Sequence, residues 1–316
     1  MSNKEIRKPM RDVFISEIFS KMEEHKNIFF LSADFGSPAL DQLRQKYPDR
    51  FINVGIAEQN LINVACGLAL EGFCVYAYAI APFITMRCFE QIRVNLAILS
   101  QIREINVNLI GVGAGFSYEV SGPTHHCLED ISLMRTLPNF TIISPSDWYS
   151  ASKYIDYTIK NKSPKYIRFD AKPLNGIYDE LTEESLNDGM IELALGDEIC
   201  IVSTGYMTQK ANSIINSGLK KKVGLIDLIL LKGYNEELLT SKLKKYKKII
   251  TMEEGFIGKG GLDSIINHLI VKNQFNIKVK NMGLQDKYIF HIGSREYLHG
   301  KNGVDEKGVI EQIETI

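Results

Sequence analysis

Short apolar runs alternate with longer stretches of helical periodicity along most of the chain. Residues 27–33 (NIFFLSA) have the pattern of a buried strand that ends at Asp34-Phe35-Gly36. A helix is predicted over 59–70, with small residues on its packing face, and a second strand over 73–79. Residues 89–101 carry helical spacing, and strands are predicted at 106–112, 141–144 and 165–169. Strands that alternate with helices predict a mainly parallel sheet covered on both faces.

The pattern weakens between 170 and 188, where AKPLNGIYDELTEESLNDG is polar and turn-rich and reads as a linker. A second alternating unit follows, with strands at 198–203, 222–227, 248–252 and 276–281 and helices at 208–217, 235–244 and 260–269. It is smaller, also α/β, and expected to carry a mixed sheet. The domains are therefore placed at 1–180 and 188–316. The lysine-rich KLKKYKK of 242–248 reads as a solvated helix end.

Composition narrows the function classes. The 316 residues carry 37 Lys plus Arg against 38 Asp plus Glu, without the basic excess of a nucleic-acid binder. The most apolar stretch, 61–84, is broken by Asn63, Glu71, Gly72 and Pro82, which argues against a membrane span. No apolar signal core stands at the start, and the five cysteines form no CxxC pair. A reduced, cytoplasmic protein is expected.

Generic catalytic motifs are absent: there is no P-loop, no HExxH and no GxSxG. Gly111-Val-Gly-Ala-Gly115 follows a strand but lacks full dinucleotide spacing and reads as a tight turn. Two segments hold chemistry. In FINVGIAEQN (51–60), Glu58 stands where a strand turns into a helix, a place where the helix dipole favours a carboxylate. In SGPTHH (121–126), a Gly-Pro turn can present His125 to a cleft.

These segments, taken with RCFEQIR (87–93), the run from Ser121 to Asp147 and TMEEGFIGKGG (251–261), resemble in order the second half of transketolase and of 1-deoxyxylulose-5-phosphate synthase. The resemblance runs from about Arg11 to the C-terminus. It implies a doubly wound pyrimidine-binding domain of the thiamine diphosphate type, followed by a smaller α/β transketolase C-terminal domain. It also implies thiamine diphosphate as cofactor, with Glu58 hydrogen-bonding the aminopyrimidine, Asp34 close by and Phe83 stacking on the ring. His125 is the implied donor to the developing oxyanion. Arg11 and Arg168 match positions that hold a sugar phosphate, where a planar guanidinium suits bidentate binding.

The departures point at substrate. Ser121 stands where the family has an Asp that reads a substrate hydroxyl, and Gly113 stands where it has a phosphate-binding His. Ala81 and Ile84 occupy expected aromatic places, with Phe83 beside them. A sugar acceptor other than ordinary ribose 5-phosphate is therefore expected. The family's diphosphate domain, with its Gly-Asp-Gly motif and metal-binding Asn, has no counterpart in this sequence. The chain is thus expected to be the pyrimidine-side subunit of a split transketolase that transfers a two-carbon ketol unit. It would self-associate and recruit a diphosphate-binding subunit as an α2β2 heterotetramer, with Mg2+ or Ca2+ bound mainly by that partner. The alternatives are the beta subunit of a thiamine-dependent 2-oxo acid dehydrogenase and a non-catalytic regulatory subunit.

Overall fold

The computed structural model describes residue 3 and residues 6–316. The first unit is built on strands β1 (Arg7–Lys8), β2 (Ile28–Ser32), β3 (Phe51–Asn53), β4 (Cys74–Ile80), β5 (Val107–Val112), β6 (Thr141–Ile143), β7 (Lys165–Phe169) and β8 (Leu174–Asn175). The second supplies β9 (Met190–Ala194), β10 (Ile199–Ser203), β11 (Val223–Leu228), β12 (Leu230–Lys232), β13 (Lys248–Phe256) and β14 (Lys278–Leu284). The main sheet has the order β12-β6-β7-β5-β4-β2-β3, and all its pairs are parallel except β12 with β6.

Its central strands are buried on both faces, which is why they read as unbroken apolar runs rather than alternating ones. Helix Met10–Glu24 covers one face through Met10, Phe14, Ile15, Ile18 and Met22. Helix Glu58–Leu70 covers the other through Leu61, Ile62, Ala65 and Ala69. Its small residues let it lie close to the sheet. The second sheet, β14-β13-β10-β11-β9, is parallel but for β9, so it is mixed as expected.

Three expectations need correction. The helical stretch at 89–101 is one α-turn (Phe89–Gln91), a π-helical segment (Ile92–Ile98) and a 3-10 turn (Leu99–Gln101), and Phe83–Arg87 is also π-helical. Apolar spacing registers a helix but does not separate these windings, and π turns gather at functional sites. The stretch 170–188 is not plain linker: β8 pairs with β1, and Glu183–Asp188 is a helix. A Thr182–Ser185 capping box starts that helix and Gly189, with φ 73°, ends it, so polar capping residues hid it. Finally, the two units share a sheet. The sequence predicts a strand over 222–227 and no further strand before the next helix, yet after β11, which stays in the second sheet, β12 crosses over to pair with β6.

Among the described residues, no helix is long and apolar enough to cross a membrane. All five cysteines are buried and free.

Candidate active site

The parallel strands β2, β3, β4 and β5 end along one edge of the main sheet, and ligands of open α/β sheets sit outside such carboxyl ends. The residues that follow these strands build the site. After β3, Gly55 takes φ 76° and the chain turns into the helix that opens with Glu58. Glu58 is only 6% exposed although it sits at a helix start, so its carboxylate faces inward. Arg87 Nη1 donates to its Oε1 at 2.8 Å. The same guanidinium lies over the Phe83 ring, 3.8 Å from its centroid. His125 meets the other side of this group, its ring edge-on to Phe83 with centroids 5.4 Å apart. Its Nδ1 lies 3.0 Å from Thr124 Oγ1, so Nε2 is the nitrogen left for a ligand.

Glu58, Phe83 and His125 are thus brought together, linked through Arg87. Arg87 was in view in RCFEQIR without a role; its place four residues after Phe83, on one helical face, was the available signal.

Asp34 follows β2 at the same edge, exposed and with φ 54°, a left-handed conformation that Asp tolerates better than most residues. Asn53 at the end of β3 holds it there. Asn53 Nδ2 donates to Asp34 Oδ1 at 2.8 Å, and Asn53 Oδ1 accepts from the Asp34 backbone N–H at 3.1 Å. Arg11 lies in the first turn of helix Met10–Glu24. Its Nε donates to Asp12 Oδ1 at 2.7 Å, and Ser37 Oγ donates to the same oxygen at 2.9 Å. Burial would lower the Arg11 pKa, but Asp12 and Tyr78 reverse that and hold the guanidinium charged. Ser121 is exposed on the loop before His125, its backbone N–H donating to the Tyr118 carbonyl at 3.0 Å.

Arg168 is placed differently. It is 5% exposed, and Asp130 takes it bidentately, Nε to Oδ2 at 2.8 Å and Nη2 to Oδ1 at 3.2 Å. Tyr166 donates to the same carboxylate at 2.7 Å. The structure does not bring Arg168 into contact with Glu58, Phe83 or His125; its guanidinium is committed to an internal ion pair.

The arrangement can be tested against an aminopyrimidine, which needs an aromatic or apolar face to lie on and a carboxylate to receive a ring N–H. Both are present and adjacent. A planar, nitrogen-rich guanidinium already makes the same pair of contacts, stacking on Phe83 while donating to Glu58. The residues therefore fit the group. Among the described residues no set of three or more His, Cys, Asp or Glu is gathered to hold a metal ion.

A doubly wound pyrimidine-binding unit with a carboxylate at this edge, joined to a smaller mixed-sheet unit, defines the thiamine-enzyme class of fold. Residues 7–175 match the transketolase pyrimidine-binding domain, and residues 189–309 match the transketolase C-terminal domain. This chain belongs to the transketolase family. Among its relatives, one of the subunits of the apulose-4-phosphate transketolase of Actinobacillus succinogenes is 29% identical, with 98% of each chain covered. The 6-deoxy-6-sulfo-D-fructose transketolase subunit of a Clostridium species is 26% identical, over 97% of this chain and 94% of the relative. In three dimensions the chain is similar to a split-gene transketolase solved as an inactive beta4 tetramer, with TM-score 0.84, 27% identity and 97% of each chain covered. The chain is the pyrimidine-side part of a transketolase-type transferase, and its full-length relatives are subunits of split enzymes. Nothing favours the 2-oxo acid dehydrogenase alternative.

Proposed function

We propose that this chain completes a transketolase active site together with a diphosphate-binding subunit, as half of an α2β2 heterotetramer. On this reading thiamine diphosphate lies between the two chains, with Mg2+ or Ca2+ held mainly by the partner. The observation that carries it is the buried Glu58 carboxylate beside the Phe83 ring face, already bridged by a flat nitrogen donor. Bound there, thiamine diphosphate supplies the carbanion chemistry by which a two-carbon ketol unit leaves a ketose and joins an aldehyde.

The chain's own residues bind and orient. Glu58 holds the proton of the pyrimidine ring nitrogen, Phe83 offers the stacking face, and Asp34 stands near the cofactor at the β2 end. Arg87 releases Glu58 to make room. His125 donates from Nε2 to the oxygen on which negative charge develops. Arg11 and Ser121 face the sugar. Arg168 supports the floor of the site through Asp130 rather than reaching the ligand. The names of two relatives specify a phosphorylated and a sulfonated sugar, and a sugar with an oxyanion at its far end is the class proposed here.

Glu58→Gln keeps the shape of the side chain and removes the carboxylate. In the reconstituted complex it should lower turnover on the order of a hundredfold or more, the range of a lost acid–base group. Near-normal turnover by that variant sinks the assignment. Light scattering of the isolated chain should show self-association.

A further inference from the structure

The loop that carries His125 is closed on itself and fastened to the second unit at two points. Gly115 and Cys127 close it, the Gly115 N–H donating to the Cys127 carbonyl at 2.9 Å and the Cys127 N–H returning the bond at 3.0 Å. At the start of the loop the Phe116 backbone N–H donates to Oε2 of Glu254, on β13, at 3.3 Å. Further along, Glu119 Oε2 accepts from the Arg295 backbone N–H at 3.0 Å, and its Oε1 accepts from Lys172 Nζ at 3.0 Å. Arg295 opens helix Arg295–Asn302, and the Ser294 cap of that helix accepts from the Tyr297 N–H. Glu119 thus takes a first-turn N–H that the cap leaves open, and its carboxylate lies where the helix dipole favours an anion. Among the described residues, Glu119 is the one side chain between Ser117 and His126 with a hydrogen bond outside the loop.

We infer that Glu119 positions His125 for catalysis by latching its loop to the second unit. The turn before His125 is braced internally: Gly122 takes φ 74°, and its carbonyl accepts from the His125 and His126 N–H groups at 3.0 and 3.1 Å. Those bonds fix the shape of the turn but not where it stands over the sheet edge. The latch at Glu119 supplies that placement, and with it the edge-on seat of His125 on Phe83, centroids 5.4 Å apart. Small misplacements of a catalytic group are read directly in rate. Glu119 is a positioning residue: its own oxygens are engaged by Arg295 and Lys172, and it acts through His125. An oxyanion donor works in the transition state, so loss of the latch lowers kcat and leaves KM in place. The second unit thereby takes part in catalysis from outside the site. The inference rests on the transketolase reading above and deepens it.

The test is a double-mutant cycle in the full chain reconstituted with its diphosphate-side subunit. Glu119→Ala should lower kcat about tenfold or more, with KM for xylulose 5-phosphate and half-saturation by thiamine diphosphate within about twofold of wild type. Glu119→Gln keeps an acceptor for the helix N–H and should hold kcat within about threefold of wild type. In a His125→Ala background, Glu119→Ala should lower turnover by less than about twofold, because the group it positions is gone. Equal losses with and without His125 overturn the inference, as does a kcat that Glu119→Ala leaves unchanged. Amide hydrogen exchange reads the latch without turnover. In the full chain alone, Glu119→Ala should speed exchange at His125 and His126 about tenfold while the β5 amides keep their protection. Unchanged exchange at His125 and His126 overturns the latch. A wild-type complex that transfers no ketol unit overturns the transketolase reading, and the exchange comparison then still decides whether Glu119 holds the loop.

Discussion

Two Arg–Glu pairs in this molecule use the same atoms for opposite ends. Arg87 and Glu58 meet at the open edge of the main sheet, with the arginine side chain 47% exposed and the glutamate 7%. Arg295 and Glu254 meet between the two units, 6% and 4% exposed. Arg295 is fully engaged: Nε and Nη2 bind Glu254, Nη1 binds Asp170 at the end of β7, and its guanidinium lies 3.4 Å from the Tyr206 ring centroid. His299 Nε2 adds a further contact to Glu254 at 2.5 Å. Burial would raise Glu254's pKa, yet Arg295 and His299 hold it well below the usual carboxylate range. Every charge here is answered from inside the chain, across segments as distant as 170 and 295. At Glu58 one exposed arginine is the answer, the partner that the proposed cofactor would displace. Internal completeness marks a structural joint, and a single replaceable partner marks a site.

The largest effect is expected where that joint is cut. Arg295→Leu leaves Asp170 and Glu254 buried without their cation, and it should destabilise the chain by about 3–5 kcal/mol in urea unfolding. A loss below about 1 kcal/mol would place this pair in the same class as the exposed one.

Asp227 gives an intermediate effect with a defined sign. It accepts hydrogen bonds from Ser146 of the first unit, Tyr178 of the connecting stretch and Thr208 of its own unit. Burial raises its pKa to about 7, against those three hydrogen bonds. The folded state then binds a proton that the unfolded state releases near pH 4, so this group's contribution to stability falls as pH rises from about 4 to about 7 and is level above. The slope is at most about 1.4 kcal/mol per pH unit. Asp227→Asn should flatten the pH dependence of Tm across this window relative to wild type; a parallel pair of curves would contradict it.

The smallest effect belongs to the exposed pair. Arg87→Ala should change stability by no more than about 1 kcal/mol, as partly exposed ion pairs do. A loss as large as that of Arg295→Leu would make Arg87 a structural residue and remove the contrast.

How much of this was legible in the sequence follows the range of the interactions. Glu58, Phe83 and His125 stand in local segments whose geometry a strand end, a helix start or a Gly-Pro turn fixes, and the structure gathers them. The fold class and the mixed second sheet follow from the same local periodicity. Arg168 was expected to face the sugar because the resemblance matches it to a phosphate-holding position, and a strand pattern gives no sign of Asp130, 38 residues earlier, which pairs with its guanidinium. The crossing of β12 was hidden for a like reason: apolar residues on either side of the crossing look alike.

The central claim is that the edge bearing Glu58 becomes an active site when a diphosphate-binding chain covers it. Its direct measurement is a titration of that partner into this chain, with thiamine diphosphate, Mg2+, xylulose 5-phosphate and an acceptor aldehyde, while ketol transfer is followed. The account predicts negligible transfer by this chain alone and activity that rises to a plateau at one partner per chain. Full transfer by this chain alone, or none from a complex that has demonstrably formed, would contradict it.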